Sequence, residues 1–102
     1  MNNNLVKDDI NNVNFDNISA ISKIICNLNS EQDVYNFLLE ILTASEVETL
    51  SKRWRILKML AGSATQREIA KELNVSLCKV TRGAKSLKNK NAIITKCLIK
   101  GE

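Results

Sequence analysis

An all-α fold is the class this sequence predicts, and three observations carry the prediction. The 102 residues contain no proline and only three glycines, so almost nothing interrupts a helix. Apolar residues recur at three- and four-residue spacing along most of the chain. Serine or threonine followed three residues later by an acid, the signature of a helix start, occurs at Ser30/Asp33, Thr43/Glu46 and Thr65/Glu68.

Residues 1–17 carry asparagine at seven positions and read as a disordered arm, with Leu5, Ile10, Val13 and Phe15 available for local docking. Ile18, Ile21, Ile25 and Leu28 then share one face of a first helix near 18–28. Ser30 and Asp33 open a second helix, whose apolar face holds Val34, Phe37, Leu38, Ile41 and Leu42. Thr43 and Glu46 open a third, bearing Val47, Leu50, Trp54, Leu57 and Leu60, with Gly62 at its stop. Trp54 is expected in the core. A last helix starts at Asn91 and carries Ile93, Ile94, Cys97 and Leu98. Six helices with short links make one domain over 18–102. Their apolar faces are wide for so short a chain, which predicts a homodimer.

The stretch 65–88 (TQREIAKELNVSLCKVTRGAKSLK) reads as a helix-turn-helix over 66–73 and 77–88. Ile69 and Leu73 share a face, and Ala70 leaves room for a crossing helix. Asn74 tolerates the left-handed conformation a tight turn needs. Val75 plugs the turn, Ser76 caps the next helix, and Val80 faces back to the first. An ordinary surface helix hairpin would show much of the same pattern.

Charge separates the two readings. Residues 1–51 hold Lys7 and Lys23 against eight acids, a net of −6, whereas residues 52–102 hold thirteen bases against Glu68, Glu72 and Glu102, a net of +10. A basic half coinciding with a helix-turn-helix points to double-stranded DNA and to salt-dependent binding. Ser76, Cys78, Lys79 and Thr81 stand at the start of the second helix as groove candidates, with Leu77 beside them. Arg67, Lys71, Lys85 and Lys88 are phosphate candidates, and Gln66 completes the DNA-facing set.

Other classes are poorly served. Histidine is absent, which excludes histidine-based acid–base catalysis and histidine zinc sites. Cys26, Cys78 and Cys97 are widely spaced, form no metal motif, and suit a reducing cytoplasm. No apolar run approaches the roughly 20 residues of a membrane span. The four aromatics, Phe15, Tyr35, Phe37 and Trp54, all lie outside 77–101, so an RNA-stacking platform lacks its parts. Cys78 sits on a basic helix without a companion base, which argues against an enzyme.

The stretches LLEILT (38–43), KRWRI (52–56), TQRE (65–68) and TRGAKSLK (81–88) together resemble the trp repressor family of bacterial DNA-binding proteins. The resemblance implies an intertwined homodimer with two reading heads, repressing genes of tryptophan biosynthesis or uptake on an operator. It implies L-tryptophan as corepressor and no other cofactor or metal. The positions matching the family's ligand contacts are Thr43, Arg53, Arg82 and Ser86, with the backbone around Glu40 and Leu42 receiving the ammonium group and Thr43 coming from the partner chain. The residue types suit that task. Arg82 can hold a carboxylate with two parallel hydrogen bonds, and guanidinium planes stack on aromatic rings. Ser86 lies one turn beyond Arg82. Gly83, mid-helix, costs about 1 kcal/mol relative to alanine, so a close approach is expected there. The link RILKMLAGSATQ is one residue shorter than in typical tryptophan-responsive members. Asn74-Val75-Ser76 replaces a glycine-rich turn, and Ala70, Cys78 and Lys79 differ at DNA-facing positions. The alternative reading is therefore a related DNA-binding regulator that does not respond to tryptophan.

Overall fold

The computed structural model describes residues 12–100, and all of its regular structure is helical: α1 (Asn12–Cys26), α2 (Glu31–Ile41), α3 (Ala44–Ala61), α4 (Gln66–Leu73), α5 (Leu77–Leu87) and α6 (Ile93–Lys100). The chain divides into two compact units, one ending at Ile41 and the other beginning at Leu42.

In the first unit, α1 begins earlier than expected. Residues 1–11 of the Asn-rich arm lie outside the described residues, but Asn12–Asn17, assigned to that arm, are helical. Low asparagine propensity argued for a break there. The apolar period argues otherwise, because Phe15 continues the Ile18, Ile21, Ile25 series by one further step. The helix also stops at Cys26, before Leu28. The second helix opens as expected, the Asp33 amide donating to Ser30 Oγ at 3.1 Å.

The second unit is built on α3, against which α4, α5 and α6 all pack. Its first residue after the Thr43 cap is Ala44. Both halves of the capping box form: the Glu46 amide donates to Thr43 Oγ1 at 3.1 Å, and the Thr43 amide donates to Glu46 Oε1 at 2.8 Å. At the other end the Gly62 amide closes the helix on the carbonyls of Lys58 and Met59. Thr65 and Glu68 repeat the box at the start of α4 with the same two distances.

Asn74 ends α4 at φ 54°, the one non-glycine residue with positive φ among the described residues. The Asn74 amide donates to the Lys71 carbonyl and the Val75 amide to the Ala70 carbonyl, a Schellman stop that satisfies the final carbonyls. Val75 then packs on the core. Ser76 Oγ accepts from the Lys79 amide at 3.3 Å and starts α5. Local chemistry alone thus specifies two short helices joined by a three-residue turn.

Ile56 from α3, Ile69 and Leu73 from α4, and Val80 from α5 form the core, with Met59, Leu60, Ala64 and Ala70 around it. Ile69 and Val80 are 0% exposed. Burying such side chains contributes roughly 1.5–3 kcal/mol each. Gly83 lies directly on α3: a Cβ built there would meet Ile56 Cγ2 and Leu60 Cδ1 at 3.2 Å and Leu57 Cδ2 at 3.5 Å. The expected close approach is therefore a helix crossing.

Two further expectations are corrected. The last helix starts at Ile93, not Asn91, because Asn89 Oδ1 takes the Asn91 amide into a turn and the Asn89 carbonyl takes that of Ala92. Trp54 is 42% exposed, not core. It follows Leu50 by one helical turn, and the helices of the second unit leave this pair open, while Ile56 and Leu57 point into the packing.

Candidate ligand cleft and nucleic-acid face

Gly83 brings α5 close to α3, and beside that crossing the two helices diverge into a cleft of about 360 Å³. Its α3 wall is a helical stripe: Ser45, Glu48 and Thr49, Lys52 and Arg53, and Ile56 follow one another at three- and four-residue steps. Val75 closes one side from the turn, and Lys79 and Arg82, one turn apart, form the α5 wall.

The lining is strongly cationic. Lys52, Arg53, Lys79 and Arg82 face a single carboxylate, Glu48. Lys52 Nζ lies 3.3 Å from Glu48 Oε2, an exposed pair one turn apart on α3. Among the described residues no ion pair engages Arg53, Lys79 or Arg82. The cleft thus has the chemistry to attract an anion, since a guanidinium group on each wall offers a planar, two-pronged donor.

Of the residues expected at a ligand site, the structure brings Arg53 and Arg82 together in this cleft. Ser86 lies one turn further along α5 and is not part of the lining. Its hydroxyl donates to the Arg82 carbonyl at 3.4 Å, leaving the oxygen's lone pairs to accept. Thr43 caps α3, and because its oxygen accepts from Glu46 its own proton stays available for donation. Leu42 precedes it in the α2–α3 link, and Glu40 lies in the last turn of α2.

Sequence reasoning missed Lys52 and Glu48 and assigned Lys79 to the DNA groove alone. The signal was present, since Lys79 precedes Arg82 by three residues and Lys52 adjoins Arg53. It became readable only once the crossing at Gly83 set those two stripes face to face.

The nucleic-acid candidates occupy the outer faces of α4 and α5. Arg67 and Lys71 are exposed one turn apart on α4. On α5, the side facing the core holds Val80, Gly83, Ala84 and Leu87. Leu77, Cys78, Lys79, Thr81, Lys85 and, just beyond, Lys88 stand exposed. No acid interrupts that face. Ser76 Oγ accepts from the Lys79 amide, which leaves its own proton available for donation. Gln66 is half-buried and does more than face outward: Thr81 Oγ1 donates to its Oε1 at 2.9 Å, tying the start of α4 to α5 and leaving the amide protons of Gln66 free to point elsewhere. At the far end of α5, buried Thr95 donates to the Ser86 carbonyl at 3.5 Å, so α6 braces the helix there. The three cysteines are free and exposed. Among the described residues no helix is long and apolar enough to cross a membrane, and no group of three or more His, Cys, Asp or Glu residues could hold a metal.

Comparison with known proteins gives the family. Residues 16–101 match the protein family described as Trp repressor protein. A Trp operon repressor homolog of Xylella fastidiosa is 46% identical over 70 residues, covering 68% of this chain and 76% of the relative. Homologs of the same name from Chlamydia caviae and Chlamydia trachomatis serovar D are 40% and 38% identical over 55 and 58 residues, covering 53% and 56% of this chain and 54% and 58% of the relatives. No solved structure matches the chain. With the family match spanning most of its length, the chain belongs to the Trp repressor family.

Proposed function

We propose that this protein is a homodimeric transcriptional repressor of the cytoplasm that binds operator DNA through α4 and α5 and takes L-tryptophan as its corepressor. One observation carries the reading: a cleft with Arg53 on one wall and Arg82 on the other lies directly behind the helix whose outer face is basic. The family and the printed names of the relatives, Trp operon repressor homologs, point the same way.

The α4–turn–α5 pair acts as a helix-turn-helix. α5 enters the major groove with its N-terminal residues toward the bases, while Arg67, Lys71, Lys85 and Lys88 take phosphates. Exposed Ile18, Ile24, Tyr35, Leu39 and Trp54 support dimerisation, since a lone chain leaves them in water. Two chains related by a two-fold axis would present two recognition helices to a palindrome. Tryptophan's carboxylate pairs with Arg82 and its indole stacks between guanidinium planes. Ser86 and Thr43, the latter from the partner chain, supply polar contacts, and the backbone around Glu40 and Leu42 receives the ammonium group, as the family resemblance implies. The ligand raises DNA affinity only to the extent that it binds the DNA-competent arrangement more tightly.

Isothermal titration with L-tryptophan, repeated on Arg82→Ala, tests this. One tryptophan bound per chain, lost in the variant, is the expected result. No heat from a folded dimer that still binds DNA would favour the second reading, a regulator answering to something other than tryptophan. That reading draws its support from the shortened link between α3 and α4 and from a cleft with more positive charge than one zwitterion balances.

A further inference from the structure

Lys79 belongs to two surfaces at once. It lines the cleft beside Arg82, opposite Lys52 and Arg53, and it is the third residue of the helix that carries the basic outer face. Its backbone is firmly placed, because its amide donates both to Ser76 Oγ at 3.3 Å and to the Ser76 carbonyl at 3.1 Å. Its side chain therefore starts from a fixed point in the first turn of α5, where Cys78 and Thr81 stand exposed on either side of it in sequence.

The electrostatics are unbalanced. Glu48 is engaged with Lys52, and among the described residues no carboxylate pairs with Lys79, Arg53 or Arg82. Like charges on facing walls oppose close approach of the first turn of α5 to α3, and a carboxylate bound between them lowers that opposition. Arg82 offers a planar fork to one edge of a carboxylate, and Lys79, one turn away on the same side of α5, offers a compact point charge to the same group.

We infer that Lys79 is the residue through which occupancy of the cleft reaches the DNA: its ammonium pairs with the carboxylate of the bound amino acid beside Arg82, and that pairing holds the first turn of α5 in the DNA-binding position. The inference rests on the reading of the cleft as a tryptophan site and goes beyond it by naming the coupling contact. A simple phosphate contact by Lys79 would instead contribute to DNA affinity to the same degree with and without ligand.

The test uses the full chain with Lys79→Met, Lys79→Gln, Lys79→Arg and Lys85→Met. Tryptophan affinity is measured by calorimetry without DNA. Affinity for the tightest duplex selected from a random-sequence pool is measured by fluorescence anisotropy with and without tryptophan, and the ratio of the two gives the coupling. Lys79→Met should weaken tryptophan binding about tenfold, the usual effect of losing a hydrogen bond to a charged group, and bring the ratio close to one. Lys79→Gln serves in its place if the methionine variant does not fold. Lys79→Arg should restore the ratio. Lys85→Met should weaken DNA binding equally in both conditions and leave the ratio unchanged. An unaltered ratio in Lys79→Met or Lys79→Gln, or an equal loss of DNA binding with and without tryptophan, overturns the inference while leaving the tryptophan site standing. An unmodified chain that binds DNA but not tryptophan overturns the inference together with the reading beneath it.

Discussion

The two units of this chain treat their apolar residues in opposite ways. The second unit gathers Ile56, Ile69, Leu73 and Val80 into a closed core from helices as short as eight residues. The first has helices of 15 and 11 residues and no buried residue among its described side chains. Ile18, Ile24, Tyr35 and Leu39 are all exposed, Ile24 at 51%. Its helices are amphipathic, and their apolar faces stay open to solvent at these positions. The difference teaches that the second unit closes a core from its own residues, whereas the first leaves an apolar face that the proposed homodimer would cover.

That contrast can be broken in three places. The largest effect is expected in the core of the second unit. Ile69→Ala removes a fully buried side chain and should destabilise that unit by roughly 2–5 kcal/mol, read as a lowered midpoint in a denaturant titration. A loss well under 1 kcal/mol would mean the core is not as closed as its burial indicates. Next, Ile24→Glu places a charge on the exposed face of α1. Self-association measured by analytical ultracentrifugation should weaken by about a hundredfold, equivalent to roughly 2.8 kcal/mol, with helix content unchanged. Undiminished association would remove α1 from the interface. The smallest effect belongs to a cap. Thr65→Ala deletes the hydroxyl that accepts the Glu68 amide and should cost about 1 kcal/mol. Amide exchange should quicken at the start of α4 and stay unchanged in α1 and α2.

What could be read from the sequence follows the range of the interactions involved. Thr43, Thr65, Asn74 and Ser76 were legible because each acts within four residues, and each does what its type predicts. The start of α1 was misjudged because the reading weighted asparagine's local preference over the apolar period running through Phe15. Trp54 was misjudged because periodicity shows that a face is apolar without showing what covers it. In the cleft, Arg53 and Arg82 were named from resemblance alone, and the structure adds their juxtaposition. Lys52 and Glu48 escaped notice because the cleft arises from a crossing between residues about thirty positions apart, which no local pattern encodes.

The crossing at Gly83 also sets the mechanics of α5. With Ile56, Leu57 and Leu60 seated against this one backbone position, α5 has a fulcrum there, and Thr95 steadies the short arm beyond it at Ser86. From Gly83 back to Ser76 the long arm measures roughly 10 Å at 1.5 Å per residue. A tilt of about 10° at the fulcrum would therefore carry the tip by roughly 2 Å over the same arm, enough to make or break a hydrogen bond to a base edge. In the proposed DNA complex, a lever of this kind would turn a small change in the cleft into a larger displacement at the groove. A larger side chain at position 83 would shift the fulcrum outward and leave the lever set at a fixed angle.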